Sequence, residues 1–127
     1  MNGPLSGIRV LELGSFIAGP FAGQLLGDYG AEVIKVEPPE VGDPMRKWGH
    51  CDSEGHSFWW PAIARNKQSI VINLRSAQGR AVVRDLALQS DVVLENFTPG
   101  RLAEWQLGYE RLAKDNPGLI MTHVSGF

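Results

Sequence analysis

Apolar residues in this chain come in short blocks that alternate between strand-like and helix-like spacing. Residues 8–13 (IRVLEL) form a compact run with glycine on either side, the pattern of a strand buried on both faces. A helix is predicted over residues 20–29, with Pro20 suited to its first turn and Gly30 to the left-handed residue that ends it. Residues 32–36 give a second strand, which Pro38 and Pro39 stop. A Gly- and Pro-rich stretch then runs to Ser57 without regular pattern, a length that is uncommon inside a compact domain and often functional. Residues 57–65 fit a short helix bearing Phe58, Trp59, Ile63 and Ala64.

The second half repeats the alternation. Residues 69–74 read as a third strand, β-branched at Ile70, Val71 and Ile72. Ser76 caps a helix running to Gln89, with Ala81, Val82 and Leu86 at helical spacing. Residues 91–95 are the fourth strand, 99–105 and 109–114 two short helices hinged at Gly108, and 119–124 the fifth strand. Strands alternating with helices predict an α/β fold with a doubly wound parallel sheet. In a 3-2-1-4-5 sheet the strand order reverses between the first and fourth strands. That sets residues 15–18 beside residues 96–98, in the crevice where open α/β sheets bind ligands.

The turn after the first strand lacks the common nucleotide motifs. From Gly14 it reads G-S-F-I-A-G, so the dinucleotide fingerprint G-x-G-x-x-G fails. The same residues give G-x-x-x-x-G, but Pro20 and Phe21 stand where a phosphate loop needs Lys and Ser or Thr. Glu37, at the end of the second strand, sits where dinucleotide enzymes place a ribose-binding acid, and a loop-capping role fits it equally.

Bulk properties narrow the field. The 127 residues suit one domain with a real core, and a net charge of −2 offers no basic field for nucleic acid or anionic membrane. No apolar run approaches the ~20 residues that span a bilayer, and no secretory leader pattern opens the chain. The single Cys51 excludes an internal disulfide and fits a reducing compartment, so a soluble cytoplasmic protein is expected. His50, Cys51 and His56 match no structural zinc spacing, so no metal site is expected. Nothing near Cys51 is recognisable as a base that would make it a nucleophile.

Several segments recur in a known order: IRVLEL (8–13), AGP (18–20), GAEVIKVE (30–37), GDP (42–44), RNKQS (65–69), DVVLENF (91–97), PG (99–100), LGYE (107–110), NP (116–117) and SGF (125–127). In this order they resemble the amino-terminal region of class III coenzyme A transferases. That group contains formyl-CoA transferase, carnitine CoA-transferase and, more distantly, α-methylacyl-CoA racemase. The resemblance covers essentially the whole chain. It implies a Rossmann-like first domain, of which residues 1–127 are the amino-terminal part, followed by a smaller second domain. It also implies an interlocked homodimer, acyl-CoA and carboxylic acid substrates, and no permanently bound cofactor. In that chemistry an aspartate carboxylate attacks the acyl-CoA thioester to give a mixed anhydride, coenzyme A forms an enzyme thioester, and the acceptor acid takes over the CoA. The aspartate would lie beyond Phe127, so no catalytic residue is expected within this chain.

The family's coenzyme contacts carry over to Ile17 and Ala18, to Ile72, Asn73, Leu74 and Arg75, and to Asn96, Phe97 and Thr98. Ile17 and Ala18 would offer backbone groups, Asn96 a hydrogen bond to the nucleotide moiety, and Phe97 a packing surface. Arg75 suits a phosphate, which a guanidinium binds bidentately; a solvated strand-end arginine is the competing reading. Formyl-CoA transferase-like members carry basic residues where Pro38 and Glu104 stand here, and Arg46 or Arg101 could substitute. Trp48 falls where relatives have a residue near the acyl pocket or the subunit interface, whereas Trp59 and Trp60 read as packing residues. The long loop at residues 42–57 and the intact Glu95–Asn96–Phe97 favour transferase over racemase. The other readings are a non-catalytic CoA-binding fragment and an NAD-binding domain, the latter opposed by the missing glycines. Expressed alone, residues 1–127 are expected to be inactive and to behave poorly, because the fifth strand has no covering helix.

Overall fold

The computed structural model describes residues 3–126. Five strands form one parallel sheet: β1 (Arg9–Glu12), β2 (Glu32–Glu37), β3 (Lys67–Val71), β4 (Val92–Glu95) and β5 (Ile120–His123). Their order is β3-β2-β1-β4-β5, so the strand order reverses between β1 and β4 as the sequence predicts. The helices are α1 (Ala18–Asp28), α2 (Trp60–Ala64), α3 (Ala77–Leu88), α4 (Arg101–Glu104) and α5 (Tyr109–Leu112). The fold is therefore α/β, with every strand pair parallel.

Side chains alternate along the central strands and feed two apolar clusters, one on each face. Leu11, Val36 and Val93 pack with Val83 and Ala87 of α3 and with Leu102, Leu107 and Leu112 around α4 and α5. Val10, Val33 and Leu94 point the other way, toward Ala22 and Leu26 of α1. Helix α1 lies close to the sheet because its inner face is small: Gly19, Pro20 and Gly23 are buried, together with Gln24. A Cβ on Gly23 would stand 1.9 Å from Glu12 Oε1. The large residues Ile17, Phe21, Leu25 and Tyr29 recur every fourth position and face outward, Tyr29 being 58% exposed.

Three sequence expectations shift. The third strand, expected at residues 69–74, occupies Lys67–Val71, because its ladder with β2 pairs Val33 with Lys67 and Glu37 with Val71. Asn73 already belongs to the turn that leads into α3, where its carbonyl accepts from Ser76 Oγ; Ser76 Oγ in turn accepts from the Gly79 amide, as a cap should. The loop after β2 is not structureless. Asp43 caps a 3₁₀ turn at Pro44–Lys47, and Cys51 bridges Ser57 in antiparallel fashion. Trp59, expected to pack, is 55% exposed. On β5, Ile120 is 61% exposed. The terminal SGF motif is described as far as Gly126, and Phe127 lies outside the described residues.

Candidate functional site

The carboxyl ends of β1 and β4 are stitched together where the strand order reverses. Asn96 Oδ1 accepts from the Ser15 amide at 2.8 Å, and Asn96 Nδ2 donates to the Ser15 carbonyl at 2.8 Å. The side-chain amide thus forms a closed pair with one backbone residue across the crevice. Gly14 makes room for it, since a Cβ there would lie 2.1 Å from Asn96 Oδ1. Beyond the clasp the chain turns sharply, with Phe16 in the left-handed region at φ 70°. A non-glycine residue held there costs on the order of 1–2 kcal/mol, so something must hold it.

That something is a buried set of charges which the sequence reading did not identify. Glu12 and Lys35 are register partners on β1 and β2. Lys35 Nζ donates to Glu12 Oε2 at 2.8 Å and to the Gly14 carbonyl at 3.0 Å, and pairs with Asp43 Oδ2 at 2.7 Å. Lys67 Nζ reaches Glu12 Oε1 and the Pro20 carbonyl, both at 2.6 Å. Asp43 also accepts from the Phe16 amide at 3.1 Å and from the Met45 amide at 2.9 Å, while its own amide donates to Glu37 Oε2 at 2.8 Å. Glu37 completes the set with a bidentate pair to Arg46, both contacts 2.7 Å, and a 2.6 Å bond from Ser69 Oγ. Three carboxylates (Glu12, Glu37, Asp43) face three cations (Lys35, Lys67, Arg46), so buried charge is matched, the condition under which it is tolerated.

The electrostatics follow from this packing. Burial by itself pushes the Glu37 carboxyl up, but the bonds from Arg46, Ser69 and the Asp43 amide outweigh it and bring it from 4.5 to about 2. Burial pulls the Lys67 ammonium below its ordinary value, against the attraction of Glu12. Of the two roles open to Glu37, the geometry matches loop capping. Arg46 is likewise committed to Glu37 and stacks 4.1 Å over Trp60, and Arg101 pairs with Glu104 and faces Trp105. One signal in the sequence pointed here: Glu12 and Lys35 interrupt apolar runs in strands buried on both faces, where a charge needs a partner.

Around this frame lie two clefts that meet at Phe97. The first, of about 510 Å³, is lined by residues 13–15, 36–44 and 72–75 with Phe97 and Trp105. It takes in Ile72, Asn73, Leu74 and Arg75, of which Arg75 is exposed and forms no ion pair among the described residues. The second, of about 520 Å³, is lined by Ala18, residues 96–99 and residues 124–126. Phe97 stands edge-on to Trp105, ring centres 5.5 Å apart. Ile17 lines neither cleft and is exposed at the start of α1. All the predicted residues but Ile17 therefore line one or other of two hollows at the strand ends, and Asn96 holds the Ser15 backbone with one N–H and one oxygen lone pair of its amide.

Two further groups border the crevice. Trp48 meets Phe16 edge-on at 5.4 Å and lies 6.2 Å from Trp59, forming an aromatic lip. Behind Phe97, Glu95 is buried, accepts from the Phe97 amide at 2.7 Å and pairs with His123 on β5. In the outer loop, His56 Nδ1 sits 3.2 Å from Asp52, and the Cys51 thiol faces the Lys47 and Gly49 carbonyls. No helix among the described residues is long and apolar enough to cross a membrane.

Comparison with known proteins gives a consistent result. The profile of CoA-transferase family III matches residues 5–127. Succinyl-CoA–D-citramalate CoA-transferase of Chloroflexus aurantiacus is 62% identical over 124 residues, covering 98% of this chain and 31% of that protein. Mouse succinyl-CoA:glutarate CoA-transferase is 44% identical over the same share of this chain and 28% of its own length. The crystal structure of a CAIB/BAIF family protein from Brucella suis superposes with a TM-score of 0.91 at 46% identity, covering 100% of this chain and 34% of that one. The chain thus spans about a third of the length of the relatives it matches.

Proposed function

The chain belongs to CoA-transferase family III, and from that premise we propose that its full-length protein moves coenzyme A from a dicarboxylyl-CoA donor of the succinyl-CoA type to a second carboxylic acid. The observation that carries this reading is the convergence of residues 15–18, 72–75 and 96–98 on the carboxyl ends of β1, β3 and β4. The resemblance assigns residues 17–18, 72–75 and 96–98 to the coenzyme, and fold geometry expects a ligand at these strand ends on independent grounds. The named relatives support the donor class, since both carry succinyl-CoA in their names.

Ligand contact is assigned to Ile17, Ala18, Ile72, Asn73, Leu74, Arg75, Phe97 and Thr98. Arg75 meets a phosphate of the coenzyme. Asn96 acts differently from the first expectation: its amide shapes the Ser15 turn, and the ligand is met by the backbone that it holds. The nucleophile is an aspartate outside residues 1–127. Its carboxylate attacks the thioester carbonyl and expels CoA thiolate, leaving a mixed anhydride. The thiolate then attacks the aspartyl carbonyl and releases the donor acid, and the resulting enzyme thioester hands CoA to the acceptor by the same two steps in reverse. Residues 1–127 alone are inactive on this reading. The full-length protein works in the cytoplasm as an interlocked homodimer.

Incubating the full-length protein with succinyl-CoA and dicarboxylic acceptors tests the proposal. New acyl-CoA should form, and hydroxylamine should release CoA from an aspartyl thioester. Exchange of the proton next to the thioester without any adduct would replace the transferase by a racemase. Coenzyme binding without turnover of any acyl-CoA would leave a binding module.

A further inference from the structure

The turn at residues 15–17 follows β1, and the 3₁₀ turn Pro44–Lys47 follows β2. Ser15 of the first turn and Pro44 of the second line the first cleft as two of its lips, and the turns share no strand pairing. One side chain joins them. Asp43 accepts from the Phe16 amide on one lip and the Met45 amide on the other, holds Lys35 from the sheet below, and anchors its own amide on Glu37. It is 1% exposed, so no water competes for these bonds. Phe16 carries the constraint outward, because its ring meets Trp48 edge-on.

We propose that Asp43 is a positioning residue that sets the spacing of the two crevice lips, holding Phe16 in its left-handed conformation so that residues 15–18 present their backbone to the coenzyme. The proposal deepens the functional reading above and rests on it for its kinetic consequence, but its structural consequence stands without any ligand. Asp43 touches no reacting atom. Its loss should therefore act on binding before it acts on chemistry.

The experiment uses the full-length protein with Asp43→Asn, which keeps the side chain's size and removes the charge that holds Lys35. Hydrogen–deuterium exchange without ligand should speed up by about tenfold or more at residues 15–17 and 44–47, and stay unchanged in α3. In turnover, KM for the acyl-CoA should rise by about tenfold with kcat within about threefold, the split expected when uniform binding is lost. Asp115→Asn, at a surface pair with Arg84 far from the cleft, should change neither. Unchanged protection at residues 15–17, or a fall in kcat at constant KM, would overturn the proposal. If the parent protein transfers no CoA, the functional reading fails, and the exchange result still decides this one. Should Asp43→Asn not fold, Asp43→Glu keeps the charge, displaces the carboxylate by one methylene, and should give the same pattern.

Discussion

Around β1, β2 and β3 the sheet buries Glu12, Lys35, Glu37, Asp43 and Lys67, whereas around β4, α4 and α5 it buries Val93, Leu102, Leu107, Leu112 and Leu119. Both halves are well packed, but they fix different things. Apolar contacts are non-directional and tolerate small shifts of one element over another. Charge-assisted hydrogen bonds specify distance and direction, at the cost of desolvating every group involved. Most of the directional material sits under the loops after β1 and β2, with Glu95 as a smaller counterpart beneath the Phe97 turn, while the apolar clusters run through both halves.

Mutation can break that contrast. Lys35→Met leaves Glu12 and Asp43 buried without their shared cation and should cost about 3–5 kcal/mol in urea unfolding of the full-length protein. Leu107→Ala, in the apolar half, should cost about 3 kcal/mol by cavity formation, without faster exchange at residues 15–17. If Lys35→Met proves as mild as an exposed charge deletion, the halves do not differ as described.

Acid sharpens the contrast further. The Glu37 carboxyl lies at about 2, below its ordinary 4.5, so between those values the unfolded chain binds the extra proton. Its contribution is complete above pH 4.5 and lost as pH falls toward 2, by about 3 kcal/mol in all. Unfolding midpoints measured across this window should fall, and Glu37→Gln should flatten its share of the slope. The smallest effect belongs to the surface: Asp115→Asn breaks an exposed pair with Arg84 and should cost under about 1 kcal/mol.

Much of this was legible in the sequence. The first two strands and the Ser76 cap follow from short apolar runs separated by Gly, Pro and Ser, and the strand order and the meeting of residues 15–18 with residues 96–98 follow from the doubly wound class those runs indicate. Three things were not. The β-branched run at residues 70–72 marks the third strand but not its start, which the ladder with β2 sets by pairing Lys67 with Val33. The order within the loop after β2 escaped for a similar reason. Asp43 and Arg46 read as loop polars until Glu37 and Lys35 are known to lie beneath them. The pairing of the Asn96 amide with the Ser15 backbone is visible only once both strand ends are side by side.

The balanced set of buried charges also gives the molecule a thermal asymmetry. Hydration of charged groups becomes less favourable as temperature rises, so keeping Glu12, Lys35 and Asp43 out of water costs less on warming. Apolar burial follows a different curve and weakens on cooling. Heat therefore favours the charged frame under the loops after β1 and β2, and cold penalises the apolar clusters that the whole sheet shares. The spacing of the lips should persist close to the melting temperature, so that the last structure lost on heating is the part that shapes the crevice.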